Sequence, residues 1–348
     1  MVNIEMLQAL HGDAFVLHCH KGKNSGVIVV DGGPNKDSQK IVDKLDSLGM
    51  IDLNILTHYD DDHIGGLLAY IKKHKNEIPF PVKEMWLNCA YTVKVSSSPN
   101  LSFGQAKNLA DELSEINDTL SAEQQPLIKW EESLYADMLK HMPFADFLIL
   151  SPDKNVKKMN DKNYYNSIAN ISRNYSRQKQ VLATPLSVLA YNNAPTFPST
   201  QQEIVNWSSI AFVIKCDNFS ALMLGDSYPC TIVKSLRQEG YSETNPLRVD
   251  YVKVSHHGSL NNISNDLLDI IDCDKYLIST NGGSGTSCHP DRETIAKIVC
   301  HPKRDLHRPI HLYFNYRISS IERRGYKFLN DSEIKKYKII LHDEIQLL

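Results

Sequence analysis

The sequence predicts an α/β fold, a sandwich of β-strands with helices on its outer sides. Residues 1–70 alternate short β-branched strands with Gly and Asp turns, as the first half of such a sandwich would. The strand-rich pattern resumes from residue 209, where segments 210–216 and 219–224 are joined by the two-residue turn Asp217-Asn218. With 348 residues, of which 42% are hydrophobic, the chain can bury a sizeable core.

The first element that carries chemistry is segment 57–66, THYDDDHIGG, which follows a short apolar strand predicted at 51–56. We expect a helix to begin near Gly65, so that the turn before it brings several side chains to one point. Imidazole and carboxylate groups together suit a divalent cation that activates water. The alternative is a solvated acidic loop, but such loops rarely interleave His and Asp in this way. The candidate metal ligands here are His58, Asp60, Asp62 and His63.

Residues 101–142 predict a helical insertion, because leucine and isoleucine recur at helical spacing among charged residues and a second amphipathic segment follows at 127–139. Residues 147–151 return to the sheet. Residues 153–205 predict a polar, partly irregular insertion, whose tyrosines either line a substrate groove or lie scattered on the surface. These tyrosines are Tyr164, Tyr165, Tyr175 and Tyr191. The prediction is one domain over 1–348 with these two insertions.

Two later strand ends add further candidates. Asp226 follows Gly225 at the end of a predicted strand, where its carboxylate can bridge two cations or form an Asx-turn. His256 and His257 end the predicted strand 251–255. Since adjacent strand residues point to opposite faces, only one of them should reach a given metal. We assign His256 as the ligand, and expect His257 to contact substrate or to support a ligand.

These motifs, in this order, resemble the metallo-β-lactamase superfamily. Segment 58–63 resembles its HxHxDH signature, with Asp60 where the second His usually lies, and this HxDxDH variant is similar to the hydrolase domain of ComEC competence proteins. That branch has five further counterparts here, from the N-terminus to about residue 300. They are the Gly12-Asp13-Ala14 turn, Asp31-Gly32-Gly33, Asn206 to Ser209 with Gly225-Asp226, His256 to Ser259, and His289-Pro290. The resemblance implies an αββα sandwich.

The resemblance also implies a mechanism, in which a metal-activated hydroxide attacks an electrophilic centre at a mono- or binuclear site. One cation would be held by His58 and Asp60 and the other by Asp62, His63 and His256, with Asp226 between them. Catalytic roles fall to Asp62, His257 and His289, the last protonating a leaving group.

The usual His between the first motif and the bridging Asp is missing. Asn206, Ser208 and Ser209 occupy its expected position, and His141 lies in the predicted helical insertion. An oxygen-rich site favours manganese or magnesium, with zinc still open. Asp13 and Asp31 are expected to orient the ligating histidines.

The leading interpretation of the function is a phosphodiesterase or nuclease acting on nucleic acid or a nucleotide. One alternative is hydrolysis of a carbonyl substrate such as a lactone, thioester or β-lactam, and another is a partner-regulated or non-catalytic metal-binding module. A formal charge of −3 argues against a broad nucleic-acid-binding face but allows a local basic groove.

The location of the chain follows from its apolar runs and its cysteines. No apolar run reaches the length of a membrane span, and the start of the chain is typical of an amphipathic strand rather than a secretory signal. The seven cysteines are odd in number and contain no CxxC, so neither a disulfide framework nor a thiolate zinc site is indicated. A cytoplasmic chain without membrane attachment is therefore predicted, with a regulatory protein partner as a further hypothesis.

Overall fold

A computed structural model shows two β-sheets packed face to face with helices on both outer sides, which confirms the predicted α/β fold class. The structure describes residues 3–88, 101–158, 184–191, 203–283, 288–322, 327–345 and 347–348. Three hydrophobic layers hold the sandwich together, one between the sheets and one beneath the helices on each side. Successive side chains of a β-strand point to opposite faces of its sheet, so alternate residues of a buried strand belong to different hydrophobic layers.

The first sheet has the order β1-β2-β3-β4-β5-β6, antiparallel up to β3 and parallel beyond it. Three helices pack on its outer face and share one hydrophobic layer with it. The strands are β1 Asn3–Met6, β2 Phe15–Lys21, β3 Asn24–Val30, β4 Leu53–Leu56, β5 Glu84–Leu87 and β6 Lys129–Glu131. The helices are α1 Gln39–Asp46, α2 Asp61–His74 and α3 Leu101–Ala122.

The second sheet has the order β16-β15-β14-β12-β10-β9-β8-β7. Its strands are β7 Met138–Met142, β8 Ala145–Ser151, β9 Ala211–Cys216, β10 Phe219–Met223, β12 Tyr251–Lys253, β14 Lys275–Ile278, β15 Ile310–Phe314 and β16 Ile339–His342. The strands β11 Leu247–Arg248 and β13 Ile271–Asp272 pair separately. Further helices in the described residues are α4 Leu186–Leu189, α5 Glu203–Trp207, α6 Pro229–Gln238, α7 Asn265–Asp269, α8 Arg292–Val299, α9 Ile318–Ile321 and α10 Asp331–Lys336.

Two sequence predictions about helices are wrong. The helix that follows the strand begins at Asp61 rather than near Gly65, so two of the four candidate ligands, Asp62 and His63, lie in its first turn. The segment 127–139 is not helical, because β6 pairs with β5 and β7 pairs with β8 at the edges of the two sheets. Leu127 and Leu139, part of the apolar pattern there, are 50% and 63% exposed. Strand pairing therefore overrides the local helical spacing.

Other predictions have mixed outcomes. The hairpin over 210–224 is confirmed, since β9 and β10 pair antiparallel around Asp217 and Asn218. Of the four tyrosines considered for a groove, Tyr191 is 65% exposed, and the other three lie outside the described residues. The division into one domain with insertions stays a prediction. None of the described helices is long and apolar enough to cross a bilayer.

Candidate metal centre

The first motif lies at the carboxyl end of β4 and continues into α2. His58 follows the buried strand, and Asp60 is the N-cap residue of α2, with Asp62 and His63 in its first turn. Acidic side chains at this end are stabilised by the helix dipole. The helix can approach the loop after β3 because Gly66 has no side chain: a Cβ atom there would lie 2.1 Å from the carbonyl oxygen of Gly32. The helix start therefore brings the four motif side chains together.

Asp226 comes from the second sheet, three residues after Met223, the last residue of β10. The preceding Gly225 has a φ of +49°, and a Cβ atom there would lie 2.3 Å from the Ser209 hydroxyl oxygen. That close approach lets the backbone N–H of Asp226 donate to Ser209 Oγ at 3.0 Å. A glycine is thus needed to aim this carboxylate at the first motif.

His256 and His257 reach the same place from the 3₁₀ turn Ser255–Gly258, which follows β12. Both have left-handed backbone angles, with φ of 48° and 55°. The expectation that they continue a strand and point to opposite faces is therefore wrong. Both imidazoles turn toward the site.

One carboxylate oxygen lies at the centre of the cluster. Asp226 Oδ2 is 3.8 Å from His58 Nε2, 3.5 Å from His63 Nε2 and 3.7 Å from His256 Nε2. Two donors that share a tetrahedral cation, each about 2.0–2.2 Å from it, are separated by roughly 3.3–3.6 Å. The spacing of these atoms therefore fits common ligation.

The remaining predicted ligands lie on either side of Asp226. Asp62 Oδ2 is 3.3 Å from His257 Nε2 and 3.9 Å from His63 Nε2. Asp60 Oδ2 is 3.8 Å from His58 Nε2. The structure thus brings all six predicted ligands together and adds His257.

The unpaired atoms in this cluster fit a divalent cation. His58 Nε2, His63 Nε2 and Asp226 Oδ1 are buried without a hydrogen-bond partner among the described residues. Buried polar atoms without partners are costly, and a cation that accepts their lone pairs would remove that cost. These donors are imidazole nitrogens and carboxylate oxygens, which suit zinc or manganese.

One half of the cluster, Asp62, His63 and His257, is backed by buried carboxylates, and we call it the carboxylate-backed half. Asp31 Oδ2 lies 2.8 Å from His63 Nδ1. His257 Nδ1 lies 3.0 Å from the Ser279 carbonyl oxygen and 3.3 Å from Asp13 Oδ1. Both outer carboxylates are where the sequence predicted them, and they direct the Nε2 atoms toward the centre.

The other half, His58, Asp60 and His256, has neutral outer partners, and we call it the neutral-backed half. His58 Nδ1 lies 3.1 Å from the Thr57 hydroxyl oxygen and 3.5 Å from that of Ser209. His256 Nδ1 lies 3.2 Å from Asn262 Oδ1. Neither imidazole has a buried carboxylate behind it in the described part of the chain.

This difference sets the charge of the histidines. Burial alone would lower the pKa of His63 and His257, but neighbouring carboxylates outweigh it, holding the pKa of His63 well above its usual value and raising that of His257 to about 10. Burial lowers the pKa of His58 to about 3 and also lowers the pKa of His256. In the absence of metal, protonation is therefore favoured at the carboxylate-backed imidazoles and disfavoured at the neutral-backed ones.

The last predicted catalytic residue lies beside the cluster. The His289 ring centroid is 5.6 Å from that of His256, and His289 Nδ1 is 3.4 Å from Asp291 Oδ2. His141, considered as a substitute ligand, is instead in edge strand β7, where it pairs with Asp146 at 2.8 Å. It belongs to none of the metal-type clusters of the described residues. Ser209, from the segment expected to replace the missing His, contacts His58 and Asp226 through its hydroxyl group.

Sequence reasoning missed two buried residues of the site. Lys253 is 1% exposed and forms an ion pair with Asp13, donates to the Gly225 carbonyl oxygen at 2.9 Å, and lies 3.8 Å from Asp226 Oδ1. Asn262 donates to the Asp226 carbonyl oxygen at 2.9 Å. The one available signal was a lysine inside the apolar strand before the two histidines.

Comparison with known proteins supports the superfamily. Residues 9–85 match the family model described as the metallo-beta-lactamase superfamily. The matched segment includes the first motif, residues 57–66. This match supports membership of that superfamily and, with the clustered donors, a metal-binding hydrolase. No curated protein matches the chain in sequence.

Several solved structures are similar at low identity. A mutant form of the CmlA β-hydroxylase is 12% identical with a TM-score of 0.44, and covers 100% of this chain, which spans 53% of the hydroxylase. Zinc-bound PqqB from Methylobacterium extorquens is 10% identical with a TM-score of 0.44, over 99% of both chains. The metallo-β-lactamase-fold protein YhfI from Bacillus subtilis is 9% identical with a TM-score of 0.41, over 100% of this chain and 99% of its own. At this level the likeness says nothing about activity.

Proposed function

We propose that this chain is a metal-dependent phosphodiesterase that acts on nucleic acid or a nucleotide. The observation that carries the proposal is the position of Asp226 Oδ2, 3.5 to 3.8 Å from the Nε2 atoms of three histidines. A carboxylate in that position can join two cations, and a pair of cations suits the in-line displacement at a phosphodiester. The resemblance of the motifs to a nuclease-like branch supports the same substrate class.

Each half of the cluster supplies the ligands for one of the two proposed cations. The carboxylate-backed half would hold one cation and the neutral-backed half the other, with Asp226 between them. Four of the seven donors are imidazoles and three are carboxylates, from Asp60, Asp62 and Asp226, so the mixed set suits zinc or manganese.

The chain's own residues prepare the site for substrate. A divalent cation, when bound, supplies Lewis acidity and lowers the pKa of coordinated water. Asp31 and Asp13 fix His63 and His257 with their Nε2 atoms toward the centre. Lys253 offsets part of the negative charge of Asp13 and Asp226. His289 is placed beside His256, where it can give a proton to the departing oxygen.

The exposed edge of the site is acidic, since the side chains of Asp60 and Asp62 are 31% and 22% exposed. Without cations these carboxylates would repel a phosphodiester. Binding of an anionic substrate should therefore require metal, which predicts that chelation removes substrate binding as well as turnover.

The test combines elemental analysis with cleavage assays on single-stranded DNA, duplex DNA, RNA and bis(p-nitrophenyl) phosphate, with Mn²⁺, Zn²⁺ or Mg²⁺ added. The substitution Asp62→Ala should remove cleavage. Asp61→Ala is the matched control, because Asp61 belongs to the same triplet but accepts a hydrogen bond from Gln105 of α3 at 2.6 Å. It should retain cleavage.

Two results would contradict the proposal. Turnover of a lactone, thioester or β-lactam without phosphodiester cleavage would assign the site to carbonyl substrates. Bound metal with no turnover of either class would favour a module that requires a partner.

A further inference from the structure

A cavity lies at the end of the first sheet opposite the candidate metal centre. Its volume is about 650 Å³, within the usual range for small-molecule sites. Asp52 and Lys83, which line it, immediately precede β4 and β5, whereas the metal donors follow the carboxyl end of β4. Four strand residues at about 3.3 Å each separate the two ends of β4. The cavity is therefore distinct from the proposed hydrolytic site.

The floor of the cavity is apolar and firmly packed. Phe80, Val82, Leu120 and Phe144 line it, and each is at most 4% exposed. Phe144 rests against β3 where Gly26 leaves room, since a Cβ atom on Gly26 would lie 2.4 Å from the phenyl ring. The apolar wall is thus formed by the fold itself, before any ligand binds.

The rim of the cavity carries cations that have no ion-pair partner in the described part of the chain. Lys23 and Lys129 line it, are exposed, and have no ion pair within 4.0 Å among the described residues. Lys83 differs, because it pairs with Asp52 at 2.6 Å. The two carboxylates at the rim are already engaged by other groups. Asp52 also accepts the backbone N–H of Val27, and Glu84 accepts the indole N–H of Trp86.

We infer that this cavity binds a small organic anion with an apolar body and one acidic group. The buried apolar floor would take the body, and the ammonium groups of Lys23 and Lys129 would take the charge. The shared chemistry is that of an amphipathic carboxylate, sulfonate or phosphate monoester. This site requires no metal and does not depend on the proposed hydrolysis.

The test uses 8-anilinonaphthalene-1-sulfonate, an aromatic sulfonate, added to the full chain in the presence of EDTA. Binding is followed by fluorescence and by isothermal titration calorimetry, with one site per chain expected. Decanoate should displace the dye, while decanol and decyltrimethylammonium at equal concentration should not. Phenyl phosphate forms a separate arm, so that carboxylate and phosphate ligands are told apart.

Two variants assign the binding to this cavity. The double substitution Lys23→Glu with Lys129→Glu should raise the Kd by about tenfold or more, since two attractive charges become repulsive. Ser25→Trp should remove binding with both lysines retained, because Ser25 is exposed and lines the cavity, so that an indole there would fill it. Lys335→Glu is the control. It reverses the charge of an exposed lysine of α10 that does not line the cavity, and it should leave the Kd unchanged.

Thermal melting by circular dichroism verifies that each variant is folded. The inference is wrong if folded Ser25→Trp binds the dye as the native chain does, or if decyltrimethylammonium competes as well as decanoate. A Kd that the double substitution leaves unchanged would also contradict it. If the double variant of Lys23 and Lys129 loses dye binding but retains phosphodiester cleavage, the anion site and the hydrolytic site are independent of each other.

Discussion

The two halves of the metal centre hold the same kinds of ligand but support them differently. In the carboxylate-backed half, the outer nitrogens of His63 and His257 face Asp31 and Asp13. In the neutral-backed half, the outer nitrogens of His58 and His256 face hydroxyl and amide oxygens. A carboxylate behind an imidazole raises its basicity and fixes its orientation more strongly than a neutral acceptor does.

This difference predicts unequal occupancy. Once the pH is high enough for His63 and His257 to lose their protons, the carboxylate-backed half should fill first, and the neutral-backed half should fill only at higher metal concentration. The same half also has the pair of charges, Lys253 and Asp13, buried directly behind it. We therefore expect a centre that is mononuclear at low metal concentration and binuclear at high metal concentration.

The largest expected effect comes from the residue common to both halves. Asp226→Ala should lower turnover by about 10³-fold or more. This decrease is larger than the one expected when a single hydrogen-bond donor of an active site is removed. Both proposed cations would lose a ligand, because Asp226 Oδ2 lies near histidines of each half. Steady-state cleavage and elemental analysis measure the effect. Near-native turnover with only one cation lost would mean that Asp226 serves a single half.

The next effect separates the adjacent histidines. His257→Ala should lose the tighter metal equivalent, because His257 Nε2 lies with Asp62 and His63. His256→Ala should keep that equivalent and lose the weaker one. Metal titration of both variants gives the comparison. The opposite result would support the assignment of His256 alone as the ligand, which was made from the sequence and stays a prediction.

The convergence of the first motif could be predicted because its candidate ligands are neighbours along the chain. Four candidate donors between His58 and His63 need only a strand end and a helix start to converge, and both are present. The hairpin of β9 and β10 was also predictable, since alternating apolar residues and a two-residue turn are local signals.

The features that escaped prediction depend on contacts between distant parts of the chain. The left-handed backbone of His256 and His257 has no local signal apart from the following Gly258. Edge strand β6 forms only because β5 is beside it. Lys253 can be buried only because Asp13, about 240 residues earlier, reaches it. Each of these requires the assembled sandwich.

A smaller effect tests the outer carboxylate directly. Asp31→Asn should weaken the tighter metal by about 10- to 100-fold, the usual result of losing such a partner. Its carboxylate accepts the Thr57 backbone N–H and hydroxyl as well as facing His63, so the asparagine keeps the shape of that contact. Chelator competition measures the affinity. An unchanged affinity would remove the basis for calling this half the tighter one.

The pH dependence of metal binding should also differ between the halves. His63 and His257 have raised pKa values and must release protons when metal binds, so the affinity of their half should rise with pH by about tenfold per unit for each proton. For His257 this rise ends near pH 10. His58, with a pKa of about 3, has no proton to release near neutrality. Calorimetry in buffers of different ionisation enthalpy counts the protons; equal release from both halves would contradict the comparison.

The smallest effect concerns the neutral partner of His58. Ser209→Ala removes a hydroxyl that lies 3.5 Å from His58 Nδ1 and accepts the Asp226 backbone N–H at 3.0 Å. Such a hydrogen bond contributes roughly 0.5–1.5 kcal/mol, so the weaker metal should lose about twofold to 12-fold in affinity. The tighter metal should be unaffected, because its histidines do not contact Ser209 through any hydrogen bond of the described residues. Ser208→Ala, whose hydroxyl donates to the Val205 carbonyl oxygen instead, is the matched control. Equal losses at both metals would show that Ser209 acts through Asp226 rather than through His58.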